Sequence, residues 1–454
     1  MKNPLIILGT LLICFFASCK KERSETVSPT PTTPTTSQAP TADQLKDSAL
    51  LFSRELYLWY NQIPSSFNAR SYEDLNKLMT AIRQYSQEPG YSNPVDRWSF
   101  AMKQAEWNNV SSGIAGDLGL NVFFKEEGDL RVRYVEQASP AGRAGIRRGW
   151  RIMKINGSTN ITTTNANTIV QNVYNSSSTS FTFQKPDNST VDLTLNAATY
   201  QENPFLLDTV YNISDKKIGY LVFNSFLGDT TQITNGFNRV FNRFVTNNVS
   251  DVVVDLRYNG GGYVRLQEWL SNYLAPASAN GNMMMRQEYN NKLNQYNTTT
   301  NFRKTGSLNL SRVFFIVSNN TASASEALIN SLKPYMDVKL VGPSKTYGKP
   351  VGFFPYPVGD WYIFPVSSRT VNKNGNANYY NGFAVDYQVA DGVDKDWGDI
   401  TESCLASAIK YITSGSFRLQ NAEAYTENPF IKQMNEKLSE HDFKGAIESR
   451  VKFK

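Results

Sequence analysis

Two side chains in this sequence have a type and setting that could open an acyl bond. Ser323 lies in the run Thr321-Ala-Ser-Ala-Ser-Glu326, and Lys349 closes Thr346-Tyr-Gly-Lys. The 454-residue chain holds one histidine, His441, so a serine nucleophile must draw its base from another residue type. Lysine can serve if neutral: its free pKa is ~10.4, and burial lowers it by roughly 3–5 units. A neutral Lys349 would take the Ser323 Oγ proton and return it to a leaving amine. Singly, Ser323-Ala-Ser-Glu326 reads as a helix capping box and Lys349 as a solvated charge. The combination carries the chemistry.

Two strand-to-helix corners must position these groups. Val252-Val-Val-Asp-Leu256 is an apolar run of strand type, followed by Arg257-Tyr-Asn-Gly-Gly-Gly-Tyr263 and a helical stretch from Arg265 to Leu274. Three consecutive glycines let a backbone approach a ligand with its N–H groups unblocked. The plan repeats in Val313-Phe-Phe-Ile-Val317, a turn, and a helix starting at Ser323. A nucleophile at such a corner has its own helix N-terminus beneath it.

In that order, DLRYNGGG, TASASE and TYGK resemble the C-terminal processing (tail-specific) serine peptidases, over roughly residues 45 to 412. The resemblance implies a mixed α/β fold that pairs a PDZ domain with a ClpP/crotonase-like core. It implies Ser323 as nucleophile, Lys349 as general base, and an oxyanion hole built from the N–H of Ala324 and one from Gly260 or Gly261. One such donor is worth about 3–4 kcal/mol. Relatives place a polar third residue four positions after the lysine or eleven after the serine; here Phe353 and Pro334 stand there, and neither can orient an amine. That role is open to Glu326, Thr346, a backbone carbonyl, or nothing.

Residues 112–200 resemble a PDZ domain. Gly116, Asp117, Leu118, Gly119 and Leu120 resemble the loop that takes a terminal carboxylate on backbone N–H groups, beside which a peptide would add as a strand. Asp96-Arg-Trp-Ser-Phe100 matches a segment preceding that domain in relatives, and residues 43–110 read as helical.

At the start, Lys2 and the apolar run Leu5–Phe16 read as a signal peptide over residues 1–18. Ala17-Ser18-Cys19 resembles a lipobox, which implies an acylated Cys19. A Thr/Pro-rich tether over residues 19–42 cannot build a core and would reach on the order of 70 Å. The expected place is the bacterial cell envelope, lipid-anchored, on the periplasmic or outer-surface side. Cys404 then remains as a buried structural thiol. Residues 205–413 are read as the peptidase core and 414–454 as a charged tail in which His441 is solvated. A net charge of +6 with scattered basic residues gives nothing that points to nucleic acid, and no nucleic-acid partner is expected. No cofactor or metal is expected, and the oligomeric state is open. The function read from the chain is a Ser-Lys endopeptidase that recognises protein C-terminal tails; the alternative is a catalytically weak or inactive peptidase-like protein that binds them.

Overall fold

Thr41 starts the first helix by exchange with Gln44: its N–H donates to Gln44 Oε1 at 2.8 Å, and the Gln44 N–H returns to Thr41 Oγ1 at 3.3 Å. The computed structural model describes residues 39–417, 425–426 and 428–450. The expected signal peptide, Cys19 and the tether up to residue 38 lie outside the described residues. Among those described, no helix is long and apolar enough to cross a membrane.

The helical region comprises α1 (Ala42–Leu56) and α2 (Leu75–Ile82), then β1 (Phe100–Lys103) and α3 (Gln104–Ser112). It is not self-contained. β1 pairs antiparallel with residues 361–364, and its apolar cluster includes Val351, Phe353, Phe364 and Ile447 from far along the chain.

Next comes a five-stranded antiparallel sheet in sequential order: β2 (Leu120–Glu126), β3 (Asp129–Val135), β4 (Arg151–Ile155), β5 (Ser178–Gln184) and β6 (Thr190–Asn196). Helix α4 (Ala166–Tyr174) crosses between β4 and β5 and buries Ile169 and Val173 against the sheet. β2 is an edge strand.

The largest sheet follows: β7 (Phe205–Ile213), β8 (Lys216–Phe223), helix α5 (Thr230–Thr246), β9 (Asp251–Asp255), the short β10 (Gly261–Tyr263), α6 (Val264–Leu274), β11 (Arg312–Ile316), α7 (Ala324–Leu332), β12 (Asp337–Gly342), β13 (Trp361–Phe364), β14 (Tyr387–Gln388) and α8 (Ser403–Ser414). Six of these strands form one sheet in the order β14-β12-β11-β9-β8-β7, parallel except for the β7–β8 pair. Val252 and Val254 face α5, α6 and α7, while Val253 faces α8; Val313 and Phe315 part from Phe314 and Ile316 in the same way. Two-sided burial is why these runs are continuously apolar. Cys404 is buried in α8 as a free thiol.

The C-terminal segment departs from the expected solvated tail. Helix α9 (Pro429–Leu438) packs Ile431 and Leu438 into the core of the five-stranded sheet. Strand β15 (Gly445–Ile447) pairs parallel with β10. Apolar Phe443, Ala446 and Ile447 interrupt the charged pattern; Ala446 and Ile447 are buried across the molecule and Phe443 partly so.

Candidate active site

Ser323 stands where β11 hands over to α7, at φ +59 and ψ −107. A non-glycine residue seldom takes that region, at a cost of about 1–3 kcal/mol, and surrounding contacts must impose it. They do. The Ser318 N–H donates to Thr321 Oγ1 at 2.9 Å, Thr321 Oγ1 donates to the Leu256 carbonyl at 2.8 Å, and the Ala322 N–H donates to the Asn259 carbonyl at 3.1 Å. The serine corner is thus fastened to the glycine corner. Ser323 is buried, and its Oγ has a long contact, 3.5 Å, to the Val351 carbonyl.

Glu326, one turn into α7, gathers four donors: Thr346 Oγ1 at 2.6 Å and the N–H groups of Gly348 at 2.7 Å, Lys349 at 2.8 Å and Ser323 at 2.9 Å. Burial pushes its carboxyl up, while those donors favour the charged acceptor. The capping pattern is therefore present, with Glu326 also holding the lysine turn.

Lys349 is 1 % exposed. Burial drives its amine well below the usual lysine value and Arg83 adds to this; Asp96 and Glu326 act the other way. The Phe353 ring lies 3.8 Å from Nζ and Trp98 5.6 Å. The Phe353 ring, which offers no hydrogen bond to orient an amine, is an apolar wall beside it. Pro334 follows α7 on a half-buried turn. Trp98 and Asp96 belong to a stretch given no chemical role from sequence; Asp96 is fixed by Tyr57 Oη at 2.8 Å and by the Trp98 N–H at 2.8 Å.

The glycine turn rests on a buried ionic network. Arg257 bonds Asp255 at 2.7 Å and both Asp391 and Glu402 at 2.9 Å; Arg148 reaches Asp391 at 2.7 Å. Burial opposes the charge on Asp391, yet Arg257 and Arg148 hold its pKa down at about 2. Above the network, Gly261 has φ +107, and a Cβ there would meet the Gly445 carbonyl oxygen at 2.4 Å and the Ala324 nitrogen at 3.0 Å. Only glycine fits, and the Ala324 N–H borders the turn. Of the two glycines expected to donate, Gly261 gives its N–H to Asn259 Oδ1 at 2.9 Å, which leaves Gly260 as the turn's candidate.

Ser323 and Lys349 share this pocket of structure, but no hydrogen bond joins their side chains among the described residues. Lys349 Nζ donates instead to the Lys444 carbonyl at 2.8 Å. That carbonyl comes from the segment expected to be a tail.

The loop Gly116–Leu120 borders a cavity of about 340 Å³ that extends to Gly260 and Gly261. Leu118 points into the domain core. The Gly119 N–H donates to Asp117 Oδ1 at 2.7 Å, and Tyr200 Oη donates to the same oxygen at 2.6 Å. Glu136 and Glu202 line the cavity too. Burial and the Glu202 charge raise the Glu136 pKa to about 8; burial and Asp117 raise that of Glu202 to about 7. Of the loop expected to take a terminal carboxylate, the Gly119 N–H is thus engaged within the loop, and Asp117, Glu136 and Glu202 share the cavity wall. His441, on the same wall, packs against the Tyr174 ring at 3.9 Å, tilted by 38°, and lies 3.2 Å from Asp442; it is 41 % exposed, so its solvation is partial.

Residues 217–396 match the model of peptidase family S41. A curated relative from Staphylococcus aureus (strain COL), named "Probable CtpA-like serine protease", is 23% identical over 321 residues, which cover 65% of this chain and 60% of that protein. This chain thus spans less than two thirds of the length of that relative. The crystal structure of a candidate S41 protease from Bacteroides fragilis NCTC 9343 superposes with a TM-score of 0.65 at 24% identity, covering 81% of this chain and 97% of that one, a likeness of fold.

Proposed function

This chain carries a domain of peptidase family S41, and from that premise we propose that it is a serine endopeptidase with Ser323 as nucleophile and Lys349 as general base. The observation that carries the reading is the brace at Glu326, which ties a strained serine on a helix N-terminus to a buried lysine whose amine is pushed toward neutrality. In the reaction, Lys349 Nζ takes the Ser323 Oγ proton as Oγ bonds to the scissile carbonyl carbon. The oxyanion draws on the N–H groups of Ala324 and Gly260. Collapse breaks the C–N bond, the lysine returns the proton to the amine, and water then hydrolyses the ester. Nζ must first leave the Lys444 carbonyl. Substrate is an extended or unfolded protein segment, reaching the serine along the cavity beside the PDZ-like sheet. Acylation at Cys19 would hold the body at an envelope membrane.

A second reading, a peptidase-like binder without turnover, is favoured by one observation: Lys349 Nζ bonds Lys444 and not Ser323. Hydrolysis of a denatured protein by the intact chain and by Ser323→Ala separates the two. Cleavage lost in the variant supports the enzyme; no cleavage by either supports the binder.

A further inference from the structure

Residues 428–448 lie across both surfaces that an incoming polypeptide would use. On the PDZ-like sheet, edge strand β2 would offer the N–H and C=O of Phe124 to an added strand. Asn435 of α9 takes both: the Phe124 N–H donates to Oδ1 at 2.8 Å, and Nδ2 donates to the Phe124 carbonyl at 2.9 Å. The chain then passes Arg133, which bonds Ser439 Oγ and the Asp442 carboxylate, each at 2.7 Å, and enters the cleft.

There it behaves as an inserted strand with a partner on each edge. On one side the Gly445 N–H donates to the Gly260 carbonyl at 2.9 Å, in parallel register with residues 261–263. On the other the Phe353 N–H donates to the Ala446 carbonyl at 3.0 Å, and the Glu448 N–H to the Phe353 carbonyl at 3.1 Å. The Lys444 carbonyl holds Lys349 Nζ. The strand is close-packed there: a Cβ on Gly445 would fall 2.3 Å from Phe443 Cζ of the same segment and 2.9 Å from Phe353 Cε2 across the cleft.

We propose that residues 428–448 are an intramolecular stand-in for substrate, covering the β2 edge with a helix and filling the cleft between Gly260 and Phe353 with a strand. The proposal rests on reading Ser323 and Lys349 as the reactive pair. It assigns the cleft to an extended chain with small residues facing Phe353, and it makes displacement of the segment the step that frees the lysine. The occupied state is closed to substrate in proportion to its population.

The test uses the full-length chain. Gly445→Trp cannot seat beside Phe353, and Gly445→Ala is a milder change. Modification of Ser323 by a fluorophosphonate should be at least about tenfold faster in Gly445→Trp than in the native chain, as expected if the open fraction is roughly a tenth or less. Gly445→Ala should fall between them, which keeps the test alive if the tryptophan variant unfolds. A synthetic peptide of residues 439–450 added to either variant should slow the reaction again. Equal rates in all three chains, or no effect of the peptide, would overturn the proposal. If no chain is modified at Ser323, the nucleophile assignment fails, and binding of a fluorescein-labelled copy of the peptide decides the docking separately. Binding to the variants well above that to the native chain supports the stand-in; equal binding overturns it.

Discussion

Ser323 and Lys349 are tied through one oxygen: both backbone N–H groups donate to Glu326 Oε2, at 2.9 and 2.8 Å. Glu326→Gln would replace one acceptor oxygen by an NH₂ that faces donors. Each buried group left unpaired costs about 1–3 kcal/mol, so urea unfolding should shift by several kcal/mol and Ser323 should lose its reactivity. A native midpoint with native reactivity would remove the brace from the account.

Lys349 sets the pH dependence. Its depressed pKa predicts activity that rises with pH as the amine loses its proton, a loss of about 10²–10⁴ in Lys349→Ala, and no rescue by Lys349→Arg, which stays charged. Stability carries the same sign. The unfolded lysine binds a proton up to ~10.4 that the folded one gives up earlier, so its destabilising effect is full below the folded pKa and fades as pH approaches the unfolded value. Lys349→Met should therefore raise the unfolding midpoint at neutral pH and lose that advantage near pH 11. A constant difference across the range would contradict the depressed pKa.

The positive φ of Ser323 should be visible as stored strain. Ser323→Gly should be inactive and more stable than Ser323→Ala by about 1 kcal/mol, because glycine takes that conformation without penalty. Equal stability of the two variants in guanidinium unfolding would argue that the corner is unstrained.

Glu136 is protonated in the folded state up to about pH 8. Its folded pKa lies above its unfolded value, so its contribution to stability is full below about 4.3 and is lost as pH rises through 8. Glu136→Gln should be nearly neutral at pH 5 and stabilising by a few kcal/mol at pH 9, read as melting temperature against pH. Stabilisation that does not grow between those values would refute the shift.

With Asp117, Glu136 and Glu202 on one cavity wall, a peptide ending in a free carboxylate should be cleaved no faster than its amide. The gap should widen as pH rises past about 7, where Glu202 gives up its proton. Faster cleavage of the free acid would contradict this and support a carboxylate clamp at Gly116–Leu120.

The local pattern was legible wherever it is periodic or stereochemical. The apolar runs at Val252 and Val313 form buried strands, the glycine turn lies beside the Ala324 nitrogen, and Ser323 caps α7. The Asp96 stretch gave no chemical signal, because its contribution is a wall beside an amine encoded some 250 residues later.

What the sequence determined by itself is the set of corners and the residue types that stand on them, since strand period, glycine and capping chemistry act over a few residues. Tertiary structure alone decided the partners. Lys349 and the Lys444 carbonyl are 95 positions apart, and Phe124 and Asn435 are 311 apart. Backbone groups carry no side-chain signature, so a carbonyl that holds an amine and an asparagine that closes a sheet edge leave no local trace. The segment from Glu436 to Ile447 read as a solvated tail for the same reason: its charged side chains do keep solvent contact, but the burial of Leu438, Ala446 and Ile447 depends on which surface the segment meets, and that is settled only when the chain has folded around it.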